Sequence, residues 1–406
     1  MRKHEALAIL TAAAFGSVCV ASSAVGNEAS RDTILHVFDG SDGASPEARL
    51  VGDNNGSFYG TTPNGGGTFD GGTIFKIASD GTEATVYTFS DGTAYRPWAP
   101  LLLDKKGNLF GTTVYGGNND NGTVFRLSPK GQLTVLHAFS GSDGRLPYGG
   151  LLKIGHFLYG TTTGGGASGA GVVFSISTDG TSEKTLYAFQ GGSNDGALPS
   201  AGLVNDASGN LYGTTQAGAG SCNEVSCGVV FKLSPNGAET ILHAFTDGPD
   251  GAQPVARLMI DSSGNLYGTA AAGGGTTCGY YGQGCGTVFK ISSDGTFSVL
   301  HAFGGGTDGA VPFSDLITDK AGNLYGTTSA GGNTLCHRQG CGTVFKLAPD
   351  GTETILHVFS GKYDGKIPAA GLTAYGPHLY GTTWRYGWRS ANCYPSGCGA
   401  VFMIKR

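Results

Sequence analysis

The chain has 406 residues, 73 of them glycine, and a formal charge of −5. Glycine is far above its ordinary share of about 7 %, yet no glycine recurs at every third position and short apolar runs return at even spacing, which excludes a collagen-like or a disordered chain. The acid excess argues against nucleic acid as a bulk partner, leaving only local positive charge to be looked for.

The first residues, "MRKHEALAILTAAAFGSVCVASSAVGNEA", carry a basic start, an apolar run from Ala6 to about Val20 and small residues suited to cleavage near Ala24 or Gly26. This pattern predicts a secretory signal over residues 1–26 rather than a membrane span. Cys19 follows "GSV", which lacks the large aliphatic residue three places before the cysteine that a lipid attachment site requires. Loss of Arg2, Lys3 and Glu5 with the signal would leave a charge of −6. The expected product is secreted or periplasmic, with no membrane partner.

From residue 27 to 406 a single repeat domain is expected. The stretch "GNLYGTT" at 209–215 returns at 322–328, and close variants stand at 107–113 and 264–270. Aligned on aromatic-Gly-Thr, seven copies begin at Tyr59, Phe110, Tyr159, Tyr212, Tyr267, Tyr325 and Tyr380, spaced by 51, 49, 53, 55, 58 and 55 residues. A period of that length points to a propeller or another repeat architecture. Each unit holds four short apolar runs, such as "AGLVND", "NLYGTT", "GVVFKL" and "TILHAF". Turns of the kind "DASGN" and "SPNG" separate the outer pairs and supply the Asp, Asn and Gly of tight hairpins. The rungs of a parallel β-helix are shorter and need no antiparallel strands. The reading is therefore an all-β, seven-bladed β-propeller with four antiparallel strands per blade.

The phase of the repeat predicts how the ring closes. The chain enters on "TILHVF" at 33–38, a fourth-strand sequence, and ends on "GAVFMIKR" at 399–406, a third-strand sequence. The N-terminal strand is thus expected to be the outer strand of the seventh blade, which removes the unpaired edges of an open array. Strand parity puts the loop between strands two and three on the same face as the connection from one blade to the next. That face carries the long segments, among them "TTWRYGWRSANCYPSGCG" and "FSDGTAYRPWAP".

"LYGTT", "GTVFKL" and "TILHAF", followed by the Asp-Gly to Pro connection, resemble the GloVer tandem-repeat family of exported bacterial proteins. The resemblance covers nearly the whole mature chain and implies architecture and export, without an activity. Some members carry a C-terminal sorting anchor. None is read after "GAVFMIKR", which suggests release.

Residues present in every blade are expected to serve the scaffold, and a ligand site is expected to break the symmetry. The connection aspartates Asp42, Asp91, Asp143, Asp195, Asp250, Asp308 and Asp364 are expected to cap turns. No calcium-loop pattern accompanies them. His36, His137, His243, His301 and His357 interchange with Tyr87 and Tyr187, as packing residues with one hydrogen bond would. Eight cysteines pair by position as local disulfides: Cys222 with Cys227, Cys278 with Cys285, Cys336 with Cys341 and Cys393 with Cys398. With two cysteines per loop, no metal site is expected, His337 beside Cys336 being the one weak exception.

The symmetry breakers are aromatic and cationic. Trp98, with Tyr95 and Arg96, lies in the connection into blade two, while Trp384, Arg385, Tyr386, Trp388 and Arg389 lie in the long loop of blade seven. Ring closure would make blades seven, one and two neighbours. Aromatic planes suit the apolar faces of sugar rings, and Arg forks suit carboxylate or sulfate. The expected partner is an extracellular polysaccharide or oligosaccharide, preferably acidic, bound by a monomer without a cofactor. No nucleophile elbow, zinc-protease, phosphate-loop or dinucleotide pattern is present. A lyase or hydrolase on the same face stays open, with Tyr95 or Tyr386 as a base and Asp70, Asp120 or Glu224 as unpaired carboxylates. A protein-interaction scaffold stays open as well.

Overall fold

In the computed structural model the residues described are 32–53, 55–219, 227–275, 278, 284–336, 339–362, 364–385, 393 and 397–406. They form seven antiparallel four-stranded sheets arranged in a ring, a seven-bladed β-propeller. In blade four, for example, the strands are Val204–Asn205, Leu211–Thr215, Val229–Leu233 and Glu239–Ala244, in that order from inside to outside. Blade seven takes its outer strand from the other end of the chain. Asp32–Val37 pairs antiparallel with Ala400–Lys405, as the phase of the repeat predicts.

Most letters of the repeated "GNLYGTT" have a physical job. In "DASGNLYGTT" the Asp206 carboxylate accepts hydrogen bonds from the backbone of Ser208 and Asn210, from the Asn210 amide at 2.6 Å and from the Tyr212 hydroxyl at 3.0 Å. Asp261 and Asp319 repeat the pattern with Asn265 and Tyr267 and with Asn323 and Tyr325. The glycine after the aromatic residue leaves room for the third-strand phenylalanine. A Cβ on Gly213 would lie 2.6 Å from the Phe231 ring and 2.9 Å from Leu203, and a Cβ on Gly60, Gly268 or Gly381 meets the matching Phe75, Phe289 or Phe402 at 2.3–2.5 Å. These phenylalanines are fully buried and carry much of the core. Gly213→Ala should therefore overpack the blade and lower stability by about 1–3 kcal/mol, readable as a fall in urea midpoint. An unchanged midpoint would show that the close ring contact does not require glycine.

The two threonines that follow lock blades to each other and to their loops. Thr161 and Thr214 donate to the Ala201 and Ala256 carbonyls in the entry to the next blade, at 2.8 and 3.2 Å. Thr215 donates to the Ala217 carbonyl and accepts from the Val229 backbone, which pins the start of the long loop.

In all seven blades the pairing of third and fourth strands slips by one residue just before the His or Tyr position. Such a bulge re-aims the side chain beside it. It brings His36, His137, His243, His301 and His357 to 2.7–3.2 Å from the carboxylates of Asp42, Asp143, Asp250, Asp308 and Asp364, while Tyr187 donates to Asp195 at 3.1 Å. The same aspartates accept turn backbone N–H groups, such as those of Ser140, Thr246 and Ser360.

A glutamate from the next blade's outer strand joins this cluster at several junctions. Glu353 packs against Asp308 and His301. Burial, and then the proton shared with Asp308, push its carboxyl from an ordinary 4.5 up to about 9. The folded protein holds that proton until pH ~9 and the unfolded chain loses it near 4.5, so the stabilisation is full below 4.5 and is lost as pH rises toward 9. Glu353→Gln keeps the donor without the titration. The melting temperature of the parent should fall from pH 5 to pH 9 more steeply than that of the variant, and parallel profiles would refute the shared proton.

Candidate functional site

Three kinds of contact build the elaborated face. In every blade the incoming connection pairs with that blade's long loop, through Ala44 with Asn64, Ala94 with Gly116, Arg145 with Gly164, Gly196 with Gly218, Ala252 with Ala272, Ala310 with Ala330 and Lys366 with Arg385. Next, the residue before each connection proline adopts a left-handed backbone, with φ of 55–62° at Ser45, Arg96, Leu146, Leu198, Gln253, Val311 and Ile367. Its N–H donates to the preceding blade, the acceptors including the Cys227, Cys285, Cys341 and Cys398 carbonyls. The third contact is the disulfide. Cys278–Cys285, Cys336–Cys341 and Cys393–Cys398 close their loops, and Cys227 is also disulfide-bonded, its expected partner Cys222 lying outside the described residues. The second cysteine of each pair thus anchors a loop to the hinge where the next blade begins.

After each proline the chain leads into the innermost strand, which begins at Val51 in blade one and Leu102 in blade two. The residues one and three places past the prolines line a cavity of about 420 Å³ to which all seven blades contribute. The first ring is Glu47, Trp98, Tyr148, Ser200, Val255, Phe313 and Ala369. The second is Arg49, Pro100, Gly150, Gly202, Arg257, Asp315 and Gly371. Ile367 and Trp384, from the connecting segments, line the same cavity, so it opens on the elaborated face.

One side of the first ring is aromatic and hydrogen-bonded. Trp98 Nε1 donates to Glu47 Oε2 at 3.1 Å, and the Trp98 indole packs edge-on against Tyr148 with centroids 5.6 Å apart. Burial pushes the Glu47 carboxyl up to about 7 against the pull of the Trp98 bond and the Arg385 charge. Among the described residues, Glu47 Oε1 is buried without a hydrogen-bond partner. Arg385 lies over the Trp384 ring at 4.2 Å from its centroid. Below them, Arg49 and Arg257 approach one carboxylate oxygen of Asp315 at 3.4 and 3.7 Å.

The structure separates the residues that sequence grouped together. Trp98 and Trp384 line one cavity, with Arg385 stacked on Trp384. Tyr95 and Arg96 do not line it. Tyr95 stacks on Tyr115 at 5.4 Å and donates its hydroxyl to Asp120, and Arg96 sits over the Tyr115 ring. The left-handed turn at Arg96 sends the side chains before and after it in different directions. Burial, and then the Asp120 bond, raise the Tyr95 hydroxyl above its ordinary value. Asp70 and Asp120 cap their own loops through the Gly65 and Gly116 N–H groups. Tyr386, Trp388, Arg389 and Glu224 lie outside the described residues.

Sequence reasoning missed Glu47, Arg49, Tyr148, Arg257, Phe313 and Asp315. The signal was available at the positions one and three past each proline, which differ from blade to blade while their neighbours repeat. Three His–Asp–Glu groups also come within ligating distance of one another, at His36, Asp42 and Glu83, at His137, Asp143 and Glu183, and at His301, Asp308 and Glu353. Their repetition at blade junctions, with each Asp already bonded to its His and its turn, marks them as scaffold.

Comparison with known proteins agrees on the architecture. No curated protein matches the chain. Among solved structures, the extracellular domain of a B. thetaiotaomicron protein superposes with a TM-score of 0.55 at 11 % identity, covering 88 % of this chain and 38 % of that one. The GH74 enzyme of Niastella koreensis gives 0.53 at 16 % identity, covering 82 % and 47 %. An oligogalacturonate lyase in complex with manganese gives 0.52 at 10 % identity, covering 92 % of each chain. At such identities these likenesses concern the fold. The family model described as the Gloeobacter/Verrucomicrobia repeat matches residues 22–226 and again 223–402, nearly the whole length, and the chain belongs to that family.

Proposed function

We propose that this is an exported propeller that binds an extracellular saccharide at the mouth of its axial cavity. The observation that carries the reading is the convergence of Trp98 and Trp384, from blades two and seven, on one cavity that also holds Tyr148 and Glu47. Indole and phenol faces pack against the C–H faces of sugar rings, while the Glu47 carboxyl adds a hydrogen-bonding group to the cavity wall. Export is supported by the N-terminal pattern, by the loop disulfides and by the extracellular setting of a structural neighbour.

A second reading, a lyase or hydrolase at the same cavity, has one observation in its favour. Glu47, held near pH 7 by burial, has the proton affinity expected of a general acid. Passing neutral and uronic polysaccharides over the immobilised protein, while following the appearance of unsaturated or reducing ends, separates the readings. Retention without new ends is the expected result. New ends would make the site an enzyme's, and no retention of any polysaccharide would overturn the saccharide reading.

A further inference from the structure

We propose that Arg49 and Arg257 form an anion subsite at the inner end of the cavity, which holds the carboxylate of a uronic acid residue. This deepens the saccharide reading and rests on it. The two guanidinium groups come from blades one and five and meet over Asp315 of blade six. One carboxylate faces two permanent cations, and it is reached at ion-pair distance with a single oxygen, so neither fork is engaged in the two-point fashion that guanidinium favours. Arg257 Nε, the atom that stands 3.7 Å from Asp315 Oδ2, is buried with no partner at hydrogen-bond distance among the described residues, and a buried donor left unmade is a standing cost.

The glycines of the second ring leave the space. A Cβ on Gly371 would fall 2.0 Å from Asp315 Oδ1 and 3.3 Å from Arg49 Cδ, and one on Gly202 would come within 3.2 Å of Arg257 Cδ. Blades four and seven thus give way so that the charged side chains of blades one, five and six can converge, while Gly150 adds no side chain on the opposite wall. Burial and the neighbouring Arg49 disfavour the charge on Arg257 while Asp315 favours it, and an incoming anion would act in the same direction as Asp315. A planar carboxylate supplies paired acceptors for a fork, and the first ring above it presents the aromatic faces that would hold the rest of the sugar. The subsite adds these two cavity arginines to the loop cations to which sequence pointed, of which Arg385 stacks on Trp384 at the same cavity and Arg389 lies outside the described residues.

The test compares three probes on the full protein: an oligomer of galacturonic acid, its methyl ester and the corresponding neutral galactose oligomer. The acid should bind about ten- to a hundredfold more tightly than its ester. Arg49→Gln and Arg257→Gln should each shrink that ratio toward one, and leave the neutral oligomer's affinity within about twofold. Where a glutamine variant melts well below the parent, Arg49→Lys and Arg257→Lys replace it, keeping the charge but losing the fork, and must still lower the ratio. Equal binding of acid and ester, or an undiminished preference in the variants, would overturn the subsite while leaving the saccharide reading intact. Binding of none of the three probes would sink the subsite, and the polysaccharide retention experiment would then decide the broader reading separately.

Discussion

Removal of residues 32–37 should destabilise the whole ring, not only its last blade. Asp32–Val37 supplies every outer-strand partner of Ala400–Lys405, and Ile34 and Leu35 pack into the clusters on either side of that strand. His36 holds Asp42, which caps the turn leading into blade one. Deletion would uncover the edge of blade seven and release this junction, leaving the Phe402 layer covered on one side only. Burying a single large apolar side chain is worth about 1.5–3 kcal/mol, so losing several, together with a strand's ladder, approaches the whole stability of a domain. The truncated protein should melt at least about 10 °C below the parent, or aggregate through its open edge. Melting at the parent temperature would mean that the ring does not depend on this closure.

The scaffold was legible because its chemistry is repeated seven times. Gly213 under Phe231, Tyr212 on Asp206 and Thr214 on the next blade are local rules with local sequence signatures, and the opening "TILHVF" declares its role by resembling the other fourth strands. The site was legible only in part. Trp98 and Trp384 stand out as rare residues that break the repeat. Glu47, Arg49, Arg257 and Asp315 were hidden because the segments after the prolines read as connections, although they lead into the innermost strands and line the axial cavity. Tyr95 and Arg96 stand apart from Trp98 and off the cavity wall for a backbone reason. Nearness in sequence does not survive a left-handed turn, and the turn at Arg96 delivers Tyr95 to Tyr115 and Asp120 instead.

Trp98→Ala should abolish or weaken saccharide binding by about tenfold or more while leaving the ring folded. The indole packs on Tyr148, bonds to Glu47 and presents its surface to a cavity that already holds room for a ligand, so its truncation enlarges that cavity more than it disturbs a packed core. Loss of one stacking aromatic from a sugar site removes both contact area and the orientation it imposes. Glu47 would lose the one hydrogen-bond donor it has among the described residues. The decisive measurement is a calorimetric titration of parent and Trp98→Ala with the same retained oligosaccharide, at equal melting temperature. The account predicts a saturable heat for the parent and at least a tenfold weaker one for the variant. Equal affinities in two equally folded proteins would contradict it and place the ligand away from the axial cavity.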